Sequence, residues 1–355
     1  MAEATVSCGA STQPGWRLPA LLAFVLVAAV VISLGFGAYP MSFGDSMHAL
    51  WRALWPWAGG APTTGAEIRE WTVVTVIRPP RILVATFSGI ALGLTGTALQ
   101  GMMRNPLVGP DLVGVSSGAA FGGVLALIMN WPVAAVVACA TVGGVGAMLC
   151  TLALARLVSA RNDGVALILA GFFVGAFFLA GVGLLKSLPL EFSWKLPGIV
   201  YWLLGSFRGA DPVKVWVIAV PTVVGFALLM GLRWRLNLLS LGDVDAASLG
   251  VDVRWLRWAI IAIVSVMVAA QVAVSGVVGW VGLIIPHCAR MLVGPDHRRL
   301  IPASALLGGL YVLALDNLTR TVTGGEIPVG VLSAFFGTPM LCFLFWKTQT
   351  KGWNE

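Results

Sequence analysis

A chain of 355 residues that is 58% hydrophobic and only 10% charged, with a mean hydropathy of +0.92, lies far outside the range of soluble globular domains and reads as a polytopic membrane protein. The formal charge of +7 would suggest nucleic acid in a soluble chain, but a membrane protein gathers its Lys and Arg in cytoplasmic loops, which argues against that partner. Cys8 lies in the N-terminal tail and Cys139, Cys150, Cys288 and Cys342 lie in apolar runs, so the cysteines form neither a disulfide framework nor a metal-spaced cluster.

The first apolar run, Leu18 to Ala38, is too long for the core of a secretory signal and fits a membrane span, leaving 1–17 as a cytoplasmic tail. Tyr39 to Arg81 mixes charges with Trp51, Trp55, Trp57 and Trp71, the composition of a segment resting on the bilayer interface. A second span, Ile82 to Met103, is crowded with Gly89, Gly93, Gly96 and Gly101, small residues that let helices approach closely in lipid. It ends in a polar break, Gln100 to Gly118, whose Arg104, Asn105, Pro106 and Pro110 belong at a membrane face or beside a watery cavity.

Third and fourth spans, Val113 to Met129 and Val133 to Val158, are separated only by Asn130, Trp131 and Pro132, so they are antiparallel neighbours. Ser159 to Gly164, with Arg161, Asn162 and Asp163, is a second polar turn on the side of the first, and Val165 to Leu185 makes a fifth span. Lys186 to Pro212 is too broken to cross the bilayer and too apolar to be solvated, which predicts a re-entrant or interfacial helix around Ile199 to Phe207. Val213 to Leu232 is a sixth span. The polar segment 233–257 follows, where Ser240 and Asp243 have capping-box spacing and Gly250 resembles a helix stop, predicting one or two short amphipathic helices.

Spans at Ala259 to Ala273, Gly279 to Leu292, Leu300 to Leu315 and Val329 to Trp346 bring the total to about ten. The chain thus reads as one all-α transmembrane domain over 1–355. A Gly-rich helix, a break and a short helix occur at Gly93 to Gly118 and again at Gly276 to Gly294, which suggests an inverted repeat. A modest bias of Lys and Arg favours both termini in the cytoplasm.

No catalytic constellation is visible. His48, His287 and His297 are not at ligand spacing, and His287 beside Pro286 reads better as a packing or helix-end residue than as a ligand or switch. Asp316 is the nearest approach to a buried carboxylate within a span, where an ion-coupled transporter usually needs several. The chain lacks a G-x-x-x-x-G-K-[ST] phosphate loop, so active transport would draw energy from a partner. A partner-driven permease and a stand-alone ion-coupled secondary transporter are both open on these grounds. An intramembrane enzyme would need a nucleophile or metal cluster that the sequence does not offer.

Four stretches carry a resemblance: RPPRILVATFSGIALGLTGTALQGMMRNPLVGPDLVGVSSGAA from Arg78, SLGDVDAASLGVDVRWLR from Ser240, VGWVGLIIPHCARMLVGPDHRRLIPASALLG from Val278 and EIPVGVLSAFFGTPM from Glu326. Together they resemble the FecCD-type permeases of ABC importers for iron-siderophores, cobalamin, haem and related chelates, the membrane subunits of type II importers. The first span and the outer segment match in length and position rather than in motif. The resemblance implies a multi-pass subunit of the bacterial cytoplasmic (inner) membrane that is not itself an enzyme and binds no metal or cofactor. Its expected partners are a second copy of the permease, two cytosolic ATPase subunits that hold ATP and magnesium, and a periplasmic or lipid-anchored substrate-binding protein. The preferred substrate is a ferric siderophore, with haem, cobalamin or molybdate as alternatives.

Residue by residue, the resemblance assigns Leu241, Gly242, Asp243, Ala247, Leu249 and Gly250 to a coupling helix docked on the ATPase, with Leu249 as apolar anchor. Asn105, Pro106 and Leu107 fall in the cytoplasmic gate, with Arg161, Asn162 and Asp163 as its second part. Arg78, Arg81 and Arg320 match arginines offered to glutamates of the binding protein, against the plainer reading of snorkelling at the interface. Gly171, Phe172 and Gly175 would line the pathway, although a phenylalanine stripe is as often simple helix packing.

Overall fold

The computed structural model describes residues 17–37, 39, 41–54, 64–158, 164–188, 194–321 and 327–349. In chain order the α-helices are α1 (Arg17–Ser33), α2 (Phe43–Leu54), α3 (Gly65–Thr72), α4 (Arg78–Met103), α5 (Val115–Ile128), α6 (Val133–Val158), α7 (Gly164–Lys186), α8 (Leu196–Leu203), α9 (Pro212–Leu241), α10 (Asp243–Ser248), α11 (Val253–Ser275), α12 (Val281–Val293), α13 (His297–Thr321) and α14 (Val329–Gln349). Among the described residues there is no strand. Among the described residues, six helices are long and apolar enough to cross a membrane, and α1, α5, α12 and α14 are shorter apolar helices. This is the all-α polytopic architecture expected.

The second span is longer than its apolar run. Helix runs unbroken from Gly65 to Met103 through a π-helical turn at Val73–Ile77. Pro79 and Pro80 follow that turn, and their rings would press on the carbonyls four residues back, at Thr75 and Val76; widening the helix there removes the clash. At its head Thr64 and Glu67 form a reciprocal capping box.

α4 is the central helix, buried along most of its length. One edge of it touches neighbouring backbones directly. A Cβ on Gly89 would overlap the Gly308 carbonyl of α13, and one on Gly96 would overlap the Gly282 carbonyl of α12. Such contacts replace the hydrophobic effect, which is weak between helices in lipid, with dense van der Waals packing.

The two interrupted segments meet inside the protein. Pro110, at the head of the 3-10 turn Pro110–Val113, packs on Gly282, and a Cβ on Gly279 would lie 3.7 Å from Asp111 Oδ2. The second break places Trp280 at φ 69°, a left-handed conformation that a bulky residue adopts at a cost, at the start of α12.

The sixth span also outruns its prediction, and the expected cap at Ser240 does not form. Ser240 Oγ bonds back to the Leu236 carbonyl within α9 (3.0 Å), as serine commonly does in a helix interior, and α9 continues to Leu241. Gly242, at φ 135°, then makes the turn and stands immediately before α10. Gly250 at φ 83° does follow the end of α10, as its sequence position predicts.

Candidate functional site

α9 and α11 extend beyond the apolar bundle and hold α10 between them at one end of the molecule. Ala246 is the buried face of this short helix, while Val244 is 83% and Leu249 58% exposed. Asp252 caps the following helix by accepting from the Trp255 amide at 3.0 Å. Two exposed apolar side chains on a helix with polar neighbours make an anchor and rim suited to a protein partner.

Asp243, the first residue of α10, ties this helix to the bundle. Its carboxylate lies 2.9 Å from Arg257 Nη2 of α11 and 3.8 Å from Arg104 Nη2. Arg104 ends α4 in a left-handed conformation (φ 50°, ψ 35°), and the next residue is Asn105. Asn105 Oδ1 accepts from the Leu107 amide at 2.9 Å, closing a tight turn over Pro106. Asn105 and Pro106 line a cavity of about 430 Å³ with Gln100, Arg290 and His297, while Leu107 stands exposed.

Two sets of hydrogen bonds form the floor of that cavity. Gln100 donates from Nε2 to the Leu283 carbonyl (3.2 Å) and accepts from Arg290 at Oε1 (3.4 Å), joining α4 to α12. Asn237 donates to Asp296 at 2.6 Å, and its Oδ1 accepts from the His297 amide and from ring Nδ1. Burial acts to raise the Asp296 pKa, but hydrogen bonds from the Arg298 amide and Asn237, with the charges of Arg298 and Arg299, hold it below the ordinary carboxylate value.

The opposite end carries a second charged cluster. Asp316 of α13 is fully buried, with Arg81 Nη2 at 2.9 Å and Arg320 Nε at 3.0 Å. Arg78 donates to the carbonyls of Leu34 and Tyr39 (3.0 Å to the latter), and Arg320 also donates to Phe36 (3.1 Å) and to Asn317. The expectation that these three arginines are offered outward meets a different geometry: Arg78 and Arg320 are 4% exposed and all three bond inside the chain. A guanidinium with a buried carboxylate to neutralise is held there by the cost of stranding that charge.

The model of the FecCD transport family matches residues 25–347. The chain belongs to the FecCD transport family. Among its relatives, the molybdate import system permease protein MolB of Haemophilus influenzae is 41% identical, over 94% of this chain and 96% of its own. The hemin transport system permease protein HmuU of Yersinia pestis is 35% identical, over 93% and 96%. A solved inward-facing metal-chelate type ABC transporter superposes with a TM-score of 0.80 at 39% identity, covering 93% of this chain and 99% of that one.

Within this FecCD chain the structure gathers most of the residues singled out for coupling. Leu241, Ala247, Leu249 and Gly250 are exposed around α10, with Asp243 half-buried and Gly242 buried beneath. The expected pathway set divides. Gly171 and Gly175 are buried in α7, where a Cβ on Gly114 would lie 3.1 Å from the Gly171 carbonyl and 3.3 Å from the Gly175 nitrogen, whereas Phe172 is 62% exposed on the other face. Arg161, Asn162 and Asp163 lie outside the described residues. Sequence reasoning missed the pairing of Asp243 with Arg104 and Arg257, because residues 14 positions and more apart carry no local signal of contact.

Proposed function

We propose that the chain is the membrane-spanning permease subunit of a binding-protein-dependent ABC importer, acting as a homodimer with two cytosolic ATPase subunits. The observation that carries this reading is α10: a six-residue helix whose Val244, with Leu249 at its C-terminal cap, is exposed while Asp243 holds its first turn to Arg104 and Arg257. Such a helix transmits motion, because force applied to its exposed face reaches the α4 terminus through an ion pair. Asn105, Pro106 and Leu107 adjoin that terminus and form the cytoplasmic gate, with Arg161, Asn162 and Asp163 as its second part. Phe172 lines the translocation path between two copies.

ATP binding in the partner closes the ATPase pair and biases a two-state membrane dimer, so the chain itself needs no nucleotide site. Both termini lie in the cytoplasm of a bacterium, and the binding protein docks at the opposite end. There Arg78, Arg81 and Arg320 act from inside, fixing the helix ends that carry the docking surface.

The cargo is a metal chelate, with a ferric siderophore as first choice. Molybdate is the second reading, favoured by the 41% identity to a molybdate permease. Proteoliposomes holding the permease with its co-purified ATPase test both: ATP-driven uptake of a ferric siderophore supports the first and uptake of molybdate the second. Uptake that proceeds without the ATPase, or that collapses with the proton gradient, would replace the importer by an ion-coupled transporter.

A further inference from the structure

The cavity of about 430 Å³ beside Asn105 and Pro106 holds a charge that the chain does not balance. Arg290, in the last turn of α12, is mostly buried, and among the described residues its one hydrogen-bond acceptor is Gln100 Oε1 at the long distance of 3.4 Å. The ion pairs of the described residues leave it without a carboxylate. The carbonyl end of α12 supplies only roughly half a unit of negative charge. A guanidinium withdrawn from water without a full counter-charge is costly, and one standing at a cavity wall can take that charge from outside the chain.

The one carboxylate on the wall is already engaged. Asp296 accepts from Asn237 (2.6 Å) and from the Arg298 amide (3.0 Å), and the cations that stabilise its charge are Arg298 and Arg299. A second guanidinium reaches the same cavity from Arg104, whose amide bonds to the Gln100 carbonyl one turn back along α4. Its charge is loosely held as well. Asp243 lies 3.8 Å away, beyond hydrogen-bond reach, and 48% of the Arg104 side chain is exposed. Asp243 has its own close partner in Arg257 at 2.9 Å.

Two under-paired guanidinium groups on one wall suit a phosphate-type oxyanion, because the planar fork of arginine matches two oxygens of such an ion. The volume lies in the small-molecule range and admits the ion together with bound water. We infer that this cavity is an oxyanion site open to the cytoplasm, which takes inorganic phosphate or another tetrahedral dianion between Arg290 and Arg104, and that its occupation draws Arg104 away from Asp243. Charge-assisted bonds of about 2.7–2.9 Å to the ion outcompete a contact of 3.8 Å. Arg257 keeps α10 attached to α11, so the bound ion unlinks the end of α4 and Asn105 from α10 while leaving that helix in place. The effect on coupling rests on the importer reading and gives it a brake: oxyanion accumulating on the ATP side lowers the transport obtained from each ATP.

The test is equilibrium binding of radiolabelled phosphate to the full-length permease in zwitterionic nanodiscs, with chloride holding the ionic strength constant. Arg290→Gln and Arg104→Gln are compared with wild type, and elution profiles and melting temperatures report their folding; Arg290→Lys replaces Arg290→Gln if that variant fails to assemble. The expected result is saturable binding, displaced by sulfate or molybdate, that weakens at least tenfold in the Arg290 variant and several-fold in Arg104→Gln. Binding no better than the chloride background, equal binding by wild type and both variants, or displacement of phosphate by phosphatidylglycerol added to the bilayer would each overturn the inference, the last by giving the site to a lipid headgroup. In proteoliposomes with the co-purified ATPase, sulfate on the ATP side is expected to lower the cargo moved per ATP hydrolysed several-fold in wild type and not in the Arg290 variant; an unchanged wild-type ratio overturns the effect on coupling. Uptake without added oxyanion is scored separately, so phosphate binding without ATP-driven uptake counts against the importer reading alone.

Discussion

Asp243 accepts a 2.9 Å hydrogen bond from Arg257 and stands 3.8 Å from Arg104, joining the first residue of α10 to both α11 and the end of α4. All three side chains keep some solvent exposure, so the pairing contributes only about 0.2–1 kcal/mol to stability. Its value is geometric. Asp243→Asn is expected to leave thermal stability of the purified complex within about 2 °C while lowering the ratio of substrate transported to ATP hydrolysed several-fold. A variant that loses stability but keeps that ratio would show the pair to be structural only.

Leu249 is 58% exposed with nothing of this chain over it, which fits an anchor awaiting a partner. Leu249→Asp should weaken ATPase association by about tenfold or more, an interfacial hot-spot effect of about 1.4 kcal/mol or greater, without altering the membrane domain. Pull-down against the isolated permease checks both parts at once, and undiminished capture of the ATPase would remove α10 from the interface.

Gly96 has no space for a side chain, because a Cβ there would overlap the Gly282 backbone, whereas Gly146 has nothing within 4 Å. Gly96→Ala should destabilise the fold by about 1–3 kcal/mol or prevent assembly, since rigid carbonyls cannot yield as a side chain does. Gly146→Ala is the matched control and is expected to be tolerated. Detergent-solubilised melting temperatures distinguish the two.

Asp316 is fully buried between Arg81 and Arg320. Asp316→Asn removes the buried carboxylate that Arg81 and Arg320 share, and breaking a buried pair in this way costs about 3–5 kcal/mol. The expected outcome is poor accumulation of the variant in membranes. If instead Asp316→Asn folds normally and abolishes a proton-coupled flux, the carboxylate is a transport group and the importer reading falls.

Asp296 has a folded pKa below its ordinary 3.8. A depressed carboxylate stabilises the fold at pH above the unfolded value, and that contribution disappears as pH falls from there through the folded value. Asp296→Asn should therefore remove acid sensitivity in that window, below about pH 4, while wild type loses part of its stability there. Melting temperatures of both proteins measured between neutral pH and pH 3 test this, and parallel curves would mean that the Asn237 and Arg298 bonds do not distinguish the charged form.

The sequence determined the membrane class, the order of the spans and the short helix before Gly250, because hydropathy and turn chemistry are local properties of the chain. It also brought out the family motifs, including the polar break at Asn105 and the exposed run around Leu249. What only the tertiary structure decided are the contacts between distant segments. Gly89, Gly93 and Gly96 read as small residues in any arrangement, and only the fold shows which backbone each one admits. Arg78, Arg81 and Arg320 are assigned to docking by the family resemblance alone; only the fold shows that Arg81 and Arg320 meet the buried Asp316 and that Arg78 meets the carbonyls of Leu34 and Tyr39. Lys195 and Arg208 lie in a stretch too broken to interpret by periodicity and Lys214 at the start of the sixth span, and their convergence on one cavity depends on how α8 folds back beside α9. Charge and polarity belong to the chain, but whether a charge meets a partner, a ligand or solvent is a matter of packing, which the order of residues does not display.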